Sequence, residues 1–409
     1  MFKRWNHICF WSEEALFPAG AEDTAEPFAP LVLLVRRDGL TNRGIWAISS
    51  LEEAYEAEGV RCLMPCHAAE PQNTLAQFVA QNGATVANVT FSRVFDLLPK
   101  VLFPKKTGLR ITLVGLGDVG GTVLTGLKLL GHEIDEIAIY DPNEAMCRRY
   151  EMEMNQVLPE VPGGTVPRVT ICREEDLFRC DLFVFTASRG VPGLDSGVKD
   201  VRMAQFEANR AMLGVYAKKA RDAGFTGLFC QVSDPVDHLS REVFLTSNRN
   251  DTGETDFAGL LPEQVQGFGL GVMASRAAYY AEQEGADTAK LRVYGPHGQG
   301  LIVANSADES YDDVLSCRLT ELTRTANLQV RGLGFKPYIA PGISSAAVSL
   351  LRLVRGQEHY GAVPLGGAYF GCVSRMTRCG VELCREEICE PLLARLEETH
   401  RALREFDYA

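Results

Sequence analysis

The stretch Leu109 to Asp141, LRITLVGLGDVGGTVLTGLKLLGHEIDEIAIYD, constrains the fold more than any other part of the 409-residue chain. It opens on an aliphatic, β-branched run, Ile111 to Val114, long enough for one buried strand. Gly115, Gly117 and Gly120 follow at G-x-G-x-x-G spacing, and Val123, Leu127 and Leu130 then recur at helical intervals. A second apolar run, Ile137 to Tyr140, closes on Asp141, about 20 residues past the third glycine. Each part has a physical task. Gly115 permits a tight turn, Gly117 lets the backbone approach a pyrophosphate, and Gly120 allows close helix–strand packing. Free N–H groups at the helix start, where Asp118 and Val119 lie, would face the diphosphate. Asp141 would accept hydrogen bonds from ribose hydroxyls, and its charge would repel a 2′-phosphate, which favours NAD over NADP.

The strand–helix alternation continues beyond this unit. The segment EAMCRRYEMEMNQVLP reads as a helix and Arg168 to Cys172 as a strand. Leu182 to Phe185 is a buried strand that ends in the small residues Thr186, Ala187 and Ser188, which suit close passage of a cofactor. A glycine-containing loop leads to a helix carrying Asn209, and Gly227 to Val232 forms the next strand, with Val232 at the cofactor edge. This pattern predicts a doubly wound parallel sheet of Rossmann type over about residues 107–245. The second half is less regular: an α+β region over 246–409, with helices after Gly269 and around 344–354, strands around 361–373 and a charged last helix. Residues 1–106 read as a small α/β unit. Leu31–Val35, Ile45–Ile48, Cys62–Met64 and Val86–Phe91 are its expected strands. An S-x-x-E signal at Ser50 and Glu53 starts one expected helix, through about Glu58, and Thr74–Gln81 forms another.

Composition narrows the function classes. The formal charge is −12 and no basic run occurs, which argues against nucleic acid or an anionic membrane as the main partner. No segment approaches the ~20 apolar residues of a membrane helix. The 12 cysteines are scattered, as expected for free thiols in a reducing cytoplasm. Cys62, Cys66 and His67 have too few neighbours of ligand type for a tetrahedral metal site, so no metal is expected.

Taken in order, GLGDVGG, the strand end at Asp141, FTAS, the loop ending at Arg202, SDPVD, GFGLGVMASR and GPHGQG resemble the motif series of the NAD-dependent L-lactate and malate dehydrogenases. The resemblance covers about residues 109–406 and leaves the first hundred without a counterpart. It implies hydride transfer between NAD(H) and a 2-hydroxy/2-oxo acid, in a homodimer or homotetramer. It also implies roles that the residue chemistry allows. His297 would be the general acid/base, because imidazole titrates near working pH. Arg276 would clamp the substrate carboxylate with its two-pronged guanidinium. Arg202, on the loop, would polarise the substrate carbonyl as the loop closes. Ser344 falls where the family shapes the substrate pocket.

Two departures bear on activity. The family's aspartate that orients the histidine is Met273 here, and the family's substrate-contacting asparagine is Asp234. Three outcomes are open on sequence alone. Asp234 supplies the carboxylate that Met273 lacks and 2-oxo acid reduction persists. Alternatively the anionic Asp234 favours an iminium, giving an imine- or opine-type reductase. Or the site has lost turnover and only binds NAD. The loop between Pro192 and Arg202 is also longer than usual; Arg189 is open to two readings, a second carboxylate clamp or a solvated charge, and Asp195 and Asp200 read as solvated.

Overall fold

The computed structural model describes residues 1–67, 70–102, 104–161, 163–189 and 201–408, with the side chains of 201–204 excluded. Among the described residues, fifteen strands join one sheet, and a two-stranded ribbon, Arg292–Tyr294 with Ile302–Ala304, lies apart. Six parallel strands form one end of the sheet: Leu109–Val114, Ile134–Tyr140, Arg168–Ile171, Leu182–Phe185, Leu228–Gln231 and Val265–Gly267. Counted along the chain, their order across the sheet is 3-2-1-4-5-6, the doubly wound arrangement in which ligands bind beyond the carboxyl ends where the order reverses. That reversal lies between Leu109–Val114 and Leu182–Phe185, which pair Val114 with Phe185. The expected Rossmann architecture is therefore present.

The strands are near-continuous apolar runs because helices cover both faces. Ile111, Leu113, Val123, Leu127, Ile137 and Val184 fill one side, where Ala346, Ala347 and Leu350 also pack. Phe183, Phe185, Phe206, Phe229 and Phe244 fill the other. The sheet continues antiparallel from Val265–Gly267 into the hairpin His359–Leu365 and Ala368–Thr377, then Gly380–Leu383. It then passes into the strands of the first hundred residues through the parallel pairing of Val381 with Trp46.

Several local readings of the N-terminal region differ from the structure. The helix expected from Ser50 is only a turn of 3-10 helix, Glu52–Ala54, because the Glu53 carboxylate is held by the Ser49 amide and hydroxyl, at 3.1 and 2.6 Å. Cys62–Met64 is not a strand: Val60–Leu63 forms another 3-10 turn. The hairpin Phe2–Trp5 with Ile8–Trp11, and the helix Val94–Leu102 with Pro99 inside it, were not anticipated.

Candidate active site

The first strand ends at Gly115, whose φ of +93° turns the chain toward the helix Asp118–Leu130. A side chain there would lie 2.5 Å from the Ala187 amide nitrogen, and one at Gly120 would lie 1.9 Å from the Gly115 carbonyl oxygen. Both positions are closed to any larger residue. Gly117 differs: a Cβ there would meet nothing within 4 Å. It caps the helix without a side-chain acceptor, so no side-chain cap occupies the first-turn N–H groups, as an anion site requires. Thr186 ties the neighbouring strand end to this turn, its hydroxyl donating to Gly115 O at 2.7 Å. Val232 continues the next strand, its amide bonded to Phe185 O at 3.0 Å.

Asp141 sits at the end of the second strand. One of its oxygens accepts from the Leu116 amide and the other from the Asn143 amide, each at 2.9 Å. A carboxylate oxygen has a further lone pair, so these bonds fix the group and leave it able to receive ribose hydroxyls. Asp118 opens the helix with its carboxylate turned to Lys336 at 3.0 Å, which offsets its charge beside the turn. Val119 lies in the same first turn. The residues present thus fit a dinucleotide.

Beyond the fifth strand, Asp234 precedes the helix Val236–Ser247. Its side chain meets His297, which is carried by the turn between the two ribbon strands. The imidazole Nδ1 lies 2.7 Å from Asp234 Oδ1. With Nδ1–H donating to that carboxylate, Nε2 is left for substrate. The His297 amide donates to Asp237 Oδ2 at 2.9 Å. Burial alone would lower the His297 pKa, but the Asp234 carboxylate, through charge and hydrogen bond, outweighs it and holds the pKa above its usual value. Burial pushes the Asp237 carboxyl up to about 7. Asn209, fully buried, joins two sides of the site: its amide group donates to Asp234 O at 2.8 Å and its oxygen accepts from the Arg189 amide at 2.9 Å.

The helix Leu270–Gln283 brings Arg276 to this region, with Met273 one turn before it. Arg276 Nη1 lies 3.9 Å from the Met273 sulfur, and no carboxylate pairs with the guanidinium among the described residues. Burial lowers its pKa, against the opposing influence of Tyr280 and Asp234. A half-buried guanidinium without an internal anion is suited to receiving an external carboxylate. Gly269 permits this packing, because a Cβ there would fall 2.8 Å from the His297 Cβ.

Ser344 lies inside a wide-turn π-helical segment, Pro341–Val348, packed on the start of the Arg276 helix. Its carbonyl accepts from the Ser349 hydroxyl at 2.9 Å. The neighbouring Ser345, not singled out from sequence, makes the connection: its hydroxyl donates to Gly269 O at 2.7 Å and accepts from the Val272 amide at 2.9 Å. π-Turns of this kind recur at functional sites. Ser233 was also not foreseen; its hydroxyl donates to Ala187 O at 2.6 Å, linking two strand ends. A serine in such sequences carries no periodic signal that marks it. Arg202 lies in the first turn of the helix Val201–Asp222, but its side chain, with the loop carrying Asp195 and Asp200, lies outside the described residues.

Comparison with proteins of known name agrees with this geometry. No family model matches the chain. The chain is 26% identical over 225 residues to a malate dehydrogenase of Sulfurimonas denitrificans, covering 54% of this chain and 63% of that protein. It is 25% identical over 286 residues to an L-lactate dehydrogenase of Treponema denticola, covering 68% and 78%. In three dimensions it is similar to the malate dehydrogenase of Archaeoglobus fulgidus solved with NADH, with TM-score 0.58 and 18% identity. It is likewise similar to a minor L-lactate dehydrogenase of Enterococcus mundtii, with TM-score 0.59 and 17% identity. Each solved structure is covered almost completely, 98% and 97%, whereas only 73% of this chain is matched.

Proposed function

We propose, taking as premise that this chain is a distant relative of the L-lactate and malate dehydrogenases, that it is an NAD-dependent oxidoreductase acting on a 2-hydroxy/2-oxo acid. The observation that carries this reading is the 2.7 Å contact between His297 and Asp234 at the carboxyl edge of a nucleotide-binding sheet. It supports the first of the three outcomes left open by the sequence: the carboxylate absent at Met273 is supplied from the opposite wall.

The residues then divide the work. Arg276 receives the substrate carboxylate and orients the reacting carbon and its oxygen toward His297. In oxidation, the hydroxyl proton passes to Nε2 of His297, and Asp234 stabilises the imidazolium that forms. Bound NAD(H) would supply the hydride acceptor in its oxidised form and the hydride donor in its reduced form. In reduction the imidazolium returns its proton to the carbonyl oxygen. Arg202 would add a second cation at that oxygen. Gly115, Gly117, Asp118, Val119, Gly120, Asp141, Thr186, Ala187 and Val232 would hold the dinucleotide, and Ser344 would border the substrate. Assembly as a homodimer or homotetramer belongs to the same reading.

The test is NADH oxidation by the purified full chain against a panel of 2-oxo acids, each with and without an added amine, with His297→Asn as control. Turnover with the acid alone, lost in the control, is expected. Turnover only with amine present would replace this reading by imine reduction. NADH binding without turnover on any panel member would refute it in favour of a silent binder.

A further inference from the structure

A cavity of about 810 Å³ lies away from the proposed active site. Leu109, Leu182 and Leu228, which line it, open three of the parallel strands. It therefore sits at the amino edge of the sheet, while Gly115, Thr186 and Asp234 mark the carboxyl edge. Its far walls come from the N-terminal region, through Val101 on the helix Val94–Leu102, and from the C-terminal hairpin, through Met376. The comparisons leave just over a quarter of the chain unmatched, and the helix of Val101 precedes the region of family resemblance. The size falls within the range of small-molecule sites, roughly 300–1,000 Å³.

The lining has two chemical parts. Val101, Leu228, Leu353 and Met376 give an apolar interior. The mouth is cationic. Three of its basic residues are already neutralised: Lys105 by Asp181 at 3.2 Å, Arg355 by Glu133 at 2.7 Å and Arg375 by Glu382 at 2.7 Å. Lys100, Lys106 and Arg378 line the same cavity, are exposed, and have no carboxylate partner among the described residues. The other carboxylate of the wall, Glu263, is directed away from them: its oxygens accept from the amides of Gly44 and Ile45 at 2.9–3.2 Å. In a chain of net charge −12, three unpaired cations at one apolar opening are a local exception.

We propose that this cavity is a second ligand site that takes an amphipathic carboxylate, its aliphatic chain in the cleft and its anionic head at Lys100, Lys106 and Arg378. The apolar wall recognises the chain by burial, and the cations distinguish an acid from the neutral alcohol of equal length. The inference does not depend on the activity of the other site.

Isothermal titration calorimetry of the full chain with decanoate, decanol and acetate tests it. Decanoate should bind saturably, about tenfold or more tighter than decanol, which is ~1.4 kcal/mol, and acetate should not bind. Simultaneous Lys100→Glu, Lys106→Glu and Arg378→Glu, all on exposed side chains, should weaken decanoate by at least about tenfold and leave decanol unchanged. Val101→Trp should exclude both, provided circular dichroism shows a folded chain; the charge variant decides the matter if it does not. Arg276→Ala should leave decanoate binding intact. Absence of saturable binding below ~1 mM, equal affinity for decanol, or indifference to charge reversal would overturn the proposal. Loss of binding in Arg276→Ala would also overturn it, by locating the acid in the substrate site.

Discussion

At His297 a carboxylate is supplied by a residue 63 positions away in sequence, Asp234, rather than by the helix that carries Arg276. Met273 instead rests against the Arg276 guanidinium. This exchange has a consequence for substrate binding. With no carboxylate paired to it among the described residues, the Arg276 guanidinium is left to the substrate carboxylate, and Arg276→Gln would remove that charge-assisted contact. A charge-assisted hydrogen bond is worth about 1.5–3 kcal/mol, so KM for the 2-oxo acid should rise about tenfold or more, with kcat less affected. Steady-state kinetics checks this, and an unchanged KM would show that Arg276 does not hold the substrate. Both departures were visible as letters in the sequence. Their compensation was not, because it depends on two loops from distant parts of the chain meeting across the site. Ser345 and Ser233 were invisible for a related reason: their hydroxyls act on backbone groups, which leaves no pattern in side-chain chemistry.

At the scale of the element, the glycine turn was the most legible feature, since its three glycines answer three separate steric demands. The structure separates two of them into a testable contrast. Gly117→Ala adds a methyl to open space, so the fold should persist while NADH binding weakens, because the methyl takes volume that a phosphate would approach. Gly120→Ala drives a methyl into the Gly115 carbonyl, and overpacking of this kind costs roughly 1–3 kcal/mol or more. Fluorescence titration with NADH beside thermal melting distinguishes them; equal melting temperatures for the two variants would contradict the steric account. Other elements were harder to read. The hairpin Phe2–Trp11 turns on Asn6 and His7, both at positive φ, 45° and 64°. That turn normally announces itself with glycine, and here it does not. The helix Val94–Leu102 was masked by Pro99, and the 3-10 turn at Glu52 by a capping signal whose glutamate bonds to Ser49 instead.

For the whole molecule, the sheet was legible as a sheet only at one end, in the six parallel strands from Val265–Gly267 to Arg168–Ile171. Alternating strands and helices specify a parallel core, but no sequence period tells that the first hundred residues extend the same sheet. The junction rests on the Val381–Trp46 pairing and on long-range polar contacts. Glu263 accepts from the amides of Gly44 and Ile45, and Arg385 meets Glu56 at 2.7 Å. Burial raises the Glu263 carboxyl to about 7. A raised carboxyl pKa means that the fold favours the protonated form: this contribution is full below the unfolded value and is lost as pH climbs through about 7. Glu263→Leu orphans two buried donors, each costing roughly 1–3 kcal/mol, and should lower stability at every pH. Glu263→Gln keeps an acceptor without the charge and should compare best with the parent above pH 7. Urea denaturation at pH 5 and pH 8 tests both; a glutamine variant that fared no better at pH 8 than at pH 5 would refute the assigned burial cost.

The most direct test of the central claim is the pH dependence of 2-oxo acid reduction in the parent and in Asp234→Asn. Reduction requires His297 as imidazolium, and Asp234 holds its pKa above the ordinary value. The parent should therefore stay active to higher pH than an isolated imidazole allows, and the rate should fall as pH rises through the elevated pKa. Asp234→Asn should move that falling limb to lower pH and reduce the rate near neutrality by about 10²-fold or more. A limb that stays in place, with turnover preserved, would contradict the assignment of Asp234 as the partner of the catalytic histidine.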